Sequence, residues 1–434
     1  MISTYTYRQP FYPDSLTFEM SKESGRIYTK ALLLNKKEHK KFKEIEEIMQ
    51  EYCKNNTKYL QSQSAQASYQ SFIVNLKAYF KSLKEFKKNP KKFSGEPKPP
   101  RKSKFLYKIT FKKSAIRRKD NELLLSVKKP HEPIKIKWAK HLPIPTWVII
   151  SYDRFEGWNI NFVMEKECKE LSLDKNKFMS MDLGNKRIAA TFNTVDNKVK
   201  TYSGKKVISL VRLRNIVDSR IKSKKSKYKK GSRKHKKIAR AGRRIVKRIK
   251  NQQKDILHKY SRMIVNDATS KNIGKIIIGN NANTHNKTNL GKENQKVQQN
   301  PEQQLAKYVE HKFNSVSGQT EFVPEPYTSR DCPKCDNRKL NSPKGRDYAC
   351  DIDICNFAYD RDGVGSINIM RRNVSFDRKY WLDVVGGLTP PIGVKLKYFK
   401  DTPRLSLASN SKMIGSKHMR EPVSLRRLEE PHVL

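Results

Sequence analysis

The spacing of apolar and polar residues divides the first part of the chain into helices and strands. Residues 36–54 and 56–88 have the apolar periodicity of two helices. The second helix carries a stripe of aromatic and aliphatic residues, which we interpret as core packing rather than as a base-stacking surface. Residues 3–9 alternate weakly and predict a short strand before the helices. The Pro- and Lys-rich residues 89–103 predict a loop.

Short strands follow from residue 104. Five apolar runs alternate partly with polar residues and are separated by turn-like gaps. This pattern predicts a small antiparallel β domain, a partly open barrel, with the two helices inserted after its first strand. The five runs are FLYKITF, NELLLSV, PIKIKW, TWVIISYDR and GWNINFVME.

A second strand-rich part begins at residue 177. Residues 177–202 predict three strands joined by turns, with Asp182 at the end of the first strand. Taken alone, an aspartate at this point is explained by the turn that precedes Gly184. Residues 275–279 and 320–325 predict two further strands.

The charge pattern points to a polyanionic partner. The sequence has 93 Lys and Arg residues against 42 Asp and Glu, a net charge of +51. A compact fold with this excess repels itself unless a polyanion neutralises it, and nucleic acid suits many phosphate contacts. Residues 205–254 hold 22 of the basic residues and one acid, in a predicted helical hairpin that breaks near Gly231. We interpret this run as a nucleic-acid groove rather than a solvated face. The candidate binding residues are Lys224, Lys225, Lys229, Lys230, Arg233, Lys236, Arg243 and Arg244.

An acidic membrane is the alternative polyanion. No apolar run in the sequence reaches the length of a bilayer span, and no amphipathic anchor or lipidation signal is present. We therefore expect no membrane partner, and a cytoplasmic protein in a reducing compartment. The pattern leaves the oligomeric state open.

Four of the six cysteines lie close together in two pairs. The spacing Cys332-Pro-Lys-Cys335 and Cys350-x4-Cys355 lets four thiolates surround one Zn²⁺ tetrahedrally. A segment of about 25 residues has no core of its own, so a metal would take the place of one. A disulfide framework is the alternative, but it suits a small secreted domain rather than a long chain. The sequence therefore predicts a zinc knuckle.

Two carboxylates follow the knuckle directly. Asp360, Arg361 and Asp362 open an apolar helix that is predicted to end near Asn373, and a carboxylate beside a metal knuckle calls for an explanation. Another helix is predicted over residues 301–315. The tail, residues 374–434, has mixed composition and no motif, and we expect part of it to be disordered.

These elements occur in the order of a known family. The sequences MDLGNKRIAA at 181–190, YTSRDCPKC at 327–335 and DRDGVGSINI at 360–369 resemble the RuvC domain of the TnpB family, the RNA-guided nucleases of insertion sequences. They are equally similar to the compact type V CRISPR effectors derived from that family. The resemblance is specific over roughly 175–372 and rests on the order of elements over 1–170. The family's usual RDxNAAxNI has Val-Gly-Ser in place of Asn-Ala-Ala here.

The resemblance implies a magnesium site. In that family three carboxylates hold two Mg²⁺ ions that serve phosphodiester cleavage. The first corresponds to Asp182 and the last to Asp362, with Asp360 as the alternative on the last element. The middle ligand, normally a Glu that ends the fourth strand, falls on Gly279, which has no side chain to bind a metal.

Two explanations of Gly279 are open. Either the nuclease is inactive, or another carboxylate has replaced the missing Glu as the middle metal ligand. Glu325 is the best substitute, because its strand lies beside the strand of Gly279 in the RNase H-like order, about 4.8 Å away. Glu293 lies in a predicted loop and Glu302 begins a predicted helix, so both are weaker candidates. A surface residue at a strand end is the alternative role for Glu325, and we favour relocation over an inactive site.

The resemblance also implies a fold class and a domain plan. We expect a multidomain α/β protein with an N-terminal β-barrel (wedge), an inserted helical recognition domain, and a C-terminal RNase H-like RuvC domain with an inserted zinc-ribbon knuckle. The expected boundaries are 1–30 and 104–174 for the wedge, 31–103 for the recognition domain, 175–330 and 358–374 for the RuvC domain with its basic hairpin 205–262, 331–357 for the knuckle and 375–434 for the tail.

The function that the resemblance implies is RNA-guided DNA cleavage. Such an endonuclease binds a guide RNA and uses Mg²⁺ to cut matched double-stranded DNA beside a short flanking motif, in the nucleoid of a prokaryote. The main alternative is a guided DNA-binding protein without cleavage, a repressor or targeting factor, and Gly279 is its evidence. A structural RNA-binding protein would leave Asp182 and Asp362 unexplained. A DDE-type transposase would work without RNA. Transposon and CRISPR settings are equally compatible with the sequence.

Overall fold

A computed structural model gives the fold of the chain. It describes residues 2–396 apart from 91–92, 94, 104–105, 154–156, 169, 281–298, 300, 342 and 344. Most of the predicted loop at 280–300, including the weak candidate Glu293, therefore lies outside the described residues. The same holds for the tail from residue 397 onwards.

Three helices form the first part of the chain. They are α1 (Ser15–Glu38), α2 (Phe42–Asn56) and α3 (Ser62–Lys88). The predicted helices correspond to α2 and α3, whereas α1 was not predicted. It buries Thr17, Ser21 and Ser24 among its apolar residues, and these small polar side chains interrupt the apolar stripe that marks a helix in sequence. Helical structure therefore begins at Ser15, inside the segment 1–30 that was expected to hold only a strand.

The helices pack through a mixed core. Tyr69, Phe72 and Leu76 of the α3 stripe are buried, which confirms that this part of the stripe is core. Phe80, further along the same helix, is 48% exposed. The buried carboxylate of Glu23 accepts hydrogen bonds from three consecutive backbone amides, at residues 58–60, over distances of 2.6–3.0 Å. These bonds tie α1 to the turn between α2 and α3.

Two antiparallel sheets accompany the helices. Their strands are β1 (Ile2–Pro10), β2 (Ile109–Lys112), β3 (Ile116–Lys119), β4 (Glu122–Leu125), β5 (Ile134–Lys137), β6 (Trp147–Asp153) and β7 (Gly157–Glu167). One sheet has the order β1-β7-β6-β2 and the other β3-β4-β5. Each predicted run contains a strand, and β3 is additional. Because β1 and β2 belong to one sheet, the three helices are inserted between two of its strands.

The later part of the chain forms a larger sheet. Its first strands are β8 (Asp174–Leu183), β9 (Arg187–Asn193) and β10 (Val199–Ser203), and the chain returns to it with β11 (Ile273–Asn280) and β12 (Gln319–Pro324). β8, β9 and β10 pair antiparallel in sequence, whereas β11 pairs parallel with both β8 and β12. The predicted three-strand unit at 177–202 is confirmed, as are the two later strands.

A helical hairpin lies between β10 and β11. Its helices are α4 (Lys205–Ser226) and α5 (Arg233–Ser270), and the turn between them contains Gly231 at φ +90°. The helices approach closely where a Cβ on Gly242 would lie 2.3 Å from the Ile221 side chain. The predicted break near Gly231 is therefore confirmed, and α5 extends eight residues beyond the expected hairpin end at 262.

Two short strands and two helices surround the cysteines. α6 (Glu302–Asn314) precedes β12, the strands β13 (Asp347–Ala349) and β14 (Ala358–Asp360) pair within the knuckle, and α7 (Arg361–Asn373) follows. α7 buries every residue from Gly363 to Met370 against the sheet. The predicted helix after the knuckle therefore forms the cover of one sheet face.

The first part of the tail, for which no element was predicted, is ordered. It forms α8 (Arg378–Gly386) and β15 (Ile392–Val394), and β15 joins the large sheet parallel to β10, giving the order β12-β11-β8-β9-β10-β15. Trp381 and Val384 of α8 pack into the same core cluster as Phe192 and Ile367. Burial of these apolar side chains orders the helix despite the weak sequence pattern. In the part of the chain described here, no helix is long and apolar enough to span a membrane.

Candidate functional site

Three parallel strands bring two carboxylates to one edge of the large sheet. Gly279 pairs with Val323 across β11 and β12, and Asp182 lies at the corresponding level of β8, one residue beyond the last pair between β8 and β11. Glu325 comes two residues after Val323. Residues two apart along a strand point to the same face, so Glu325 extends the face of Val323 past the strand end.

The carboxylate of Glu325 occupies the space above Gly279. A Cβ atom on Gly279 would lie 2.3 Å from Oε1 of Glu325 and 2.5 Å from its carboxyl carbon. Glu325 is buried, with 9% of its surface exposed. Any side chain at 279 would therefore displace the Glu325 carboxylate, and only glycine leaves room for it.

Asp360 and Asp362 differ in what they contact. Oδ1 of Asp360 accepts hydrogen bonds from the amides of Asp362 and Gly363, both at 3.1 Å, and so caps α7. Arg187 forms an ion pair with the same oxygen. The Asp362 carboxylate lies on the wall of a cleft, 3.5 Å from the Arg187 guanidinium. The geometry therefore favours Asp362 over Asp360 as the residue that faces Asp182.

Asp182, Glu325 and Asp362 line one cleft of about 610 Å³ at the end of the sheet. The loop after β8, the first turn of α4 and the knuckle residues Gly345 and Arg346 complete its walls. Glu302, the other weak candidate, is buried in the first turn of α6 and is not among the residues that line this cleft.

Burial and neighbouring carboxylates raise the affinity of Asp182 and Asp362 for protons. Burial raises the pKa of Asp182 well above its ordinary range, and repulsion and hydrogen bonding by Glu325 raise it further, as does Asp362. Burial and the neighbouring Asp360 also raise the pKa of Asp362. A divalent cation would relieve this repulsion, and carboxylate oxygens are ligands that Mg²⁺ accepts.

The three carboxylates are spread more widely than the ligands of a single ion. Among the described residues, only the four knuckle cysteines bring at least three metal-binding atoms within 4.8 Å of one another. Two-metal sites hold their ions about 3.5–4 Å apart, so their carboxylates do not all converge on one point. Among the described residues the three carboxylates therefore do not enclose a single ion, although their oxygens are of the kind that hard divalent cations bind.

The four cysteines form a compact cluster. The Sγ atoms of Cys332 and Cys355 are 3.7 Å apart, and those of Cys335 and Cys350 are 3.6 Å apart. Four thiolates at a Zn–S distance of about 2.3 Å around one ion would have sulfur atoms about 3.8 Å apart. A disulfide needs about 2.05 Å, and all four cysteines are free. The cluster can therefore bind a metal ion, and the disulfide alternative is wrong.

Backbone amides around the cluster stabilise thiolates. The amides of Lys334 and Cys335 donate to the sulfur of Cys332, although burial still raises the pKa of that thiol. The knuckle is also fixed to the sheet domain, because Tyr348 and Phe357 pack in one core cluster with the cysteines and with Val364 of α7. The knuckle therefore packs directly against the helix that carries Asp362.

The predicted basic residues lie on the hairpin. Lys224 and Lys225 are in the last turn of α4, Lys229 and Lys230 in the connecting turn, and the others on α5. All are exposed except Lys225 and Arg243, which are half-buried. The hairpin therefore presents a dense positive surface to solvent.

Neutralising four of these lysines should weaken nucleic-acid binding. Replacing Lys224, Lys225, Lys229 and Lys230 by Gln removes four cations, so the slope of log K against log salt should fall in magnitude by about 3 to 4. Filter binding of RNA and duplex DNA between low and moderate salt measures this slope. The four-Arg variant keeps the charge and is the matched control. A slope unchanged from the wild type would identify the run as a solvated face.

Sequence reasoning missed two residues that organise the site. Arg187, at the start of β9, holds both Asp360 and Asp362. Asn368 of α7 donates from its amide nitrogen to the carbonyls of Thr328 and Asp331, both at 2.8 Å, and ties α7 to the knuckle. Both stand inside the quoted motifs, but their roles depend on contacts between segments far apart in sequence.

Comparisons with known proteins agree with this arrangement. A family model described as a probable transposase (OrfB of IS605) matches residues 161–285, and one described as the TNB domain of Cas12f1-like proteins matches residues 303–369. A TnpB-like protein of Methanocaldococcus jannaschii is 26% identical over 198 residues, which cover 45% of this chain and 68% of that protein.

A solved structure shares the fold. The cryo-EM structure of Cas12f1 with single-guide RNA and target DNA matches with a TM-score of 0.54 and 12% identity, over 82% of each chain. The chain thus has the mixed α/β fold of a Cas12 effector. The predicted resemblance to the TnpB family and to the compact type V CRISPR effectors is confirmed.

Proposed function

We propose that this protein is an RNA-guided DNA endonuclease that cleaves matched double-stranded DNA in a RuvC site containing a relocated glutamate. The observation that carries the proposal is the position of Glu325, whose carboxylate fills the space above Gly279 and shares a cleft with Asp182 and Asp362. The family resemblance is the basis for the proposed reaction. The position of Glu325 supports its role as the third carboxylate, which the sequence motif lacks.

Asp182, Glu325 and Asp362 would hold the metal ions. Bound Mg²⁺ would activate a water molecule and stabilise the leaving oxygen of the phosphodiester. Arg187 would keep Asp362 in place through its ion pair. Arg346, which reaches the same cleft from the knuckle, would place a positive charge near a bound phosphate.

The four cysteines would hold Zn²⁺. Their tetrahedral spacing and the amides around Cys332 suit a structural site with no open coordination position. The knuckle would brace α7 and so the carboxylate of Asp362.

The remaining parts of the chain would bind nucleic acid. In this proposal the wedge (1–30 and 104–174, with α1 belonging to the helical part) and the recognition helices hold a guide RNA and its DNA duplex by backbone contacts. Base pairing then supplies the sequence specificity, while the protein reads a short flanking motif. The exposed cations of the hairpin would neutralise phosphates along the heteroduplex. The protein would act on cytoplasmic, nucleoid DNA.

A guided DNA-binding protein without cleavage is the second candidate. Gly279 favours it, because the usual position of the middle metal ligand lacks a side chain. The two candidates share guide and target binding and differ only in whether the phosphodiester bond breaks.

The experiment that tests the proposal is reprogrammed cleavage. Protein expressed with its neighbouring genomic sequence should co-purify with a defined RNA. Replacing the guide segment of that RNA should redirect Mg²⁺-dependent cleavage to the newly matched plasmid. Matched binding without cleavage would support the second candidate instead. Absence of any co-purifying RNA, with binding to transposon ends, would overturn both.

A further inference from the structure

A second glycine stands against a carboxylate of the site. Gly365 lies in the interior of α7, and a Cβ atom on it would be 2.3 Å from Oδ2 of Asp182, 3.0 Å from its Cγ and 3.7 Å from its Cβ. The first of these distances is far inside van der Waals contact. The carboxylate of Asp182 therefore uses space that any other residue at 365 would fill.

The helix cannot simply move away from the strand. Ser180, which points to the same face of β8 as Asp182, donates from its hydroxyl to the backbone carbonyl of Ser366 at 2.7 Å, and both residues are fully buried. One turn further along α7, Ile369 lies 2.7 Å from the Cβ that Gly279 would carry. α7 is thus held against β8 and β11 in the turn that begins at Gly365.

Glycine is a costly choice at this position. In a helix interior it is less favourable than alanine by about 1 kcal/mol, because it loses more backbone freedom on folding. No local feature of the helix requires it, since φ at Gly365 is not among the positive values of the described residues. Contact with Asp182 is the feature that explains it.

We propose that Gly365 is a positioning residue that sets the place of the Asp182 carboxylate. A methyl group at 365 would force this carboxylate to rotate and so change its position relative to Glu325 and Asp362, which line the same cleft. Because only the end of one side chain has to move, the fold would persist while the geometry of the carboxylate group changes. The functional meaning of this positioning rests on the proposed nuclease site.

A double-mutant cycle on the full-length protein tests the proposal. Gly365→Ala should weaken Mn²⁺ binding, measured by calorimetry, by about tenfold or more, the range seen when the support of a metal ligand is disturbed. In the Asp182→Ala background the same change should have no further effect on Mn²⁺ binding. It should raise the melting temperature there by about 2 °C, because the gain in helix propensity is no longer opposed by a clash. In the wild-type background this gain should be absent.

Ser366→Ala is the matched control, since it alters a small, fully buried residue in the same turn whose hydroxyl donates to the carbonyl of Gly363 at 2.9 Å. It should bind Mn²⁺ like the wild type. An equal rise in melting temperature on Gly365→Ala in both backgrounds would overturn the proposal, whether or not the protein binds Mn²⁺. The cycle could show the expected coupling between Gly365→Ala and Asp182→Ala while the wild type cleaves no guided target. That result would support this inference and overturn the proposed function, so the two failures can be told apart.

Discussion

Asp182→Ala is expected to abolish guided DNA cleavage while leaving guide and target binding intact. Asp182 lines the cleft together with Glu325 and Asp362, and both of these neighbours raise the pKa of its carboxyl. Its loss would remove a ligand from the centre of the metal site, and we expect the single-turnover cleavage rate to fall by about a thousandfold or more. Cleavage of a guide-matched plasmid in Mg²⁺ measures the rate.

Asp174→Ala is the matched control for this prediction. Asp174 begins the same strand but is not among the residues that line the cleft; its carboxylate accepts a hydrogen bond from the Asn176 amide at 2.9 Å and lies 3.6 Å from the Lys177 ammonium. The cleavage rate of Asp174→Ala should match that of the wild type. Equal rates for Asp182→Ala and the wild type would contradict the assignment of Asp182.

The second large effect is expected at the zinc knuckle. Cys332→Ser should lower the zinc content from about one ion per chain to about none, because three thiolates and a hydroxyl hold zinc far more weakly than four thiolates. Cys332 is fully buried, and its cluster packs against Val364 and Val385, so zinc loss should also lower the melting temperature of the part that contains α7. Elemental analysis and thermal melting measure both effects.

Cys168→Ser serves as the control for the knuckle. Cys168 is half-buried and lies outside the cysteine cluster, so its replacement should leave the zinc content unchanged. Unchanged zinc content in Cys332→Ser would refute the knuckle as the zinc site. Unchanged melting despite zinc loss would show that the metal does not brace α7.

The sequence predicted those elements whose pattern is local. The three strands β8, β9 and β10 with the turns between them, and the break of the basic hairpin at Gly231, follow from neighbouring residues, and all were found where expected. α1 was missed because Thr17, Ser21 and Ser24 interrupt its apolar face. α8 was missed because its order depends on Trp381 packing against residues almost 200 positions earlier in the chain.

The sequence could predict only those site residues whose positions follow from the order of the strands. Knowing that the strand of Glu325 lies beside that of Gly279 is enough to expect the carboxylate near the glycine, and β11 and β12 do pair in parallel. The contact between Gly365 and Asp182 was beyond such reasoning, since it depends on how deeply α7 sits on the sheet. The ion pairs of Arg187 likewise depend on the rotamers of residues about 175 positions away.

The most direct test of the account moves the third carboxylate from one strand end to its neighbour. We would compare the cleavage rate of the wild type with those of Glu325→Ala and of Gly279→Glu combined with Glu325→Ala. If Glu325 is the third metal ligand, the single variant should lose about a thousandfold in rate. The account predicts recovery of at least about tenfold in the double variant, because a side chain at 279 enters the space that Glu325 vacates. Wild-type cleavage by Glu325→Ala would contradict the account.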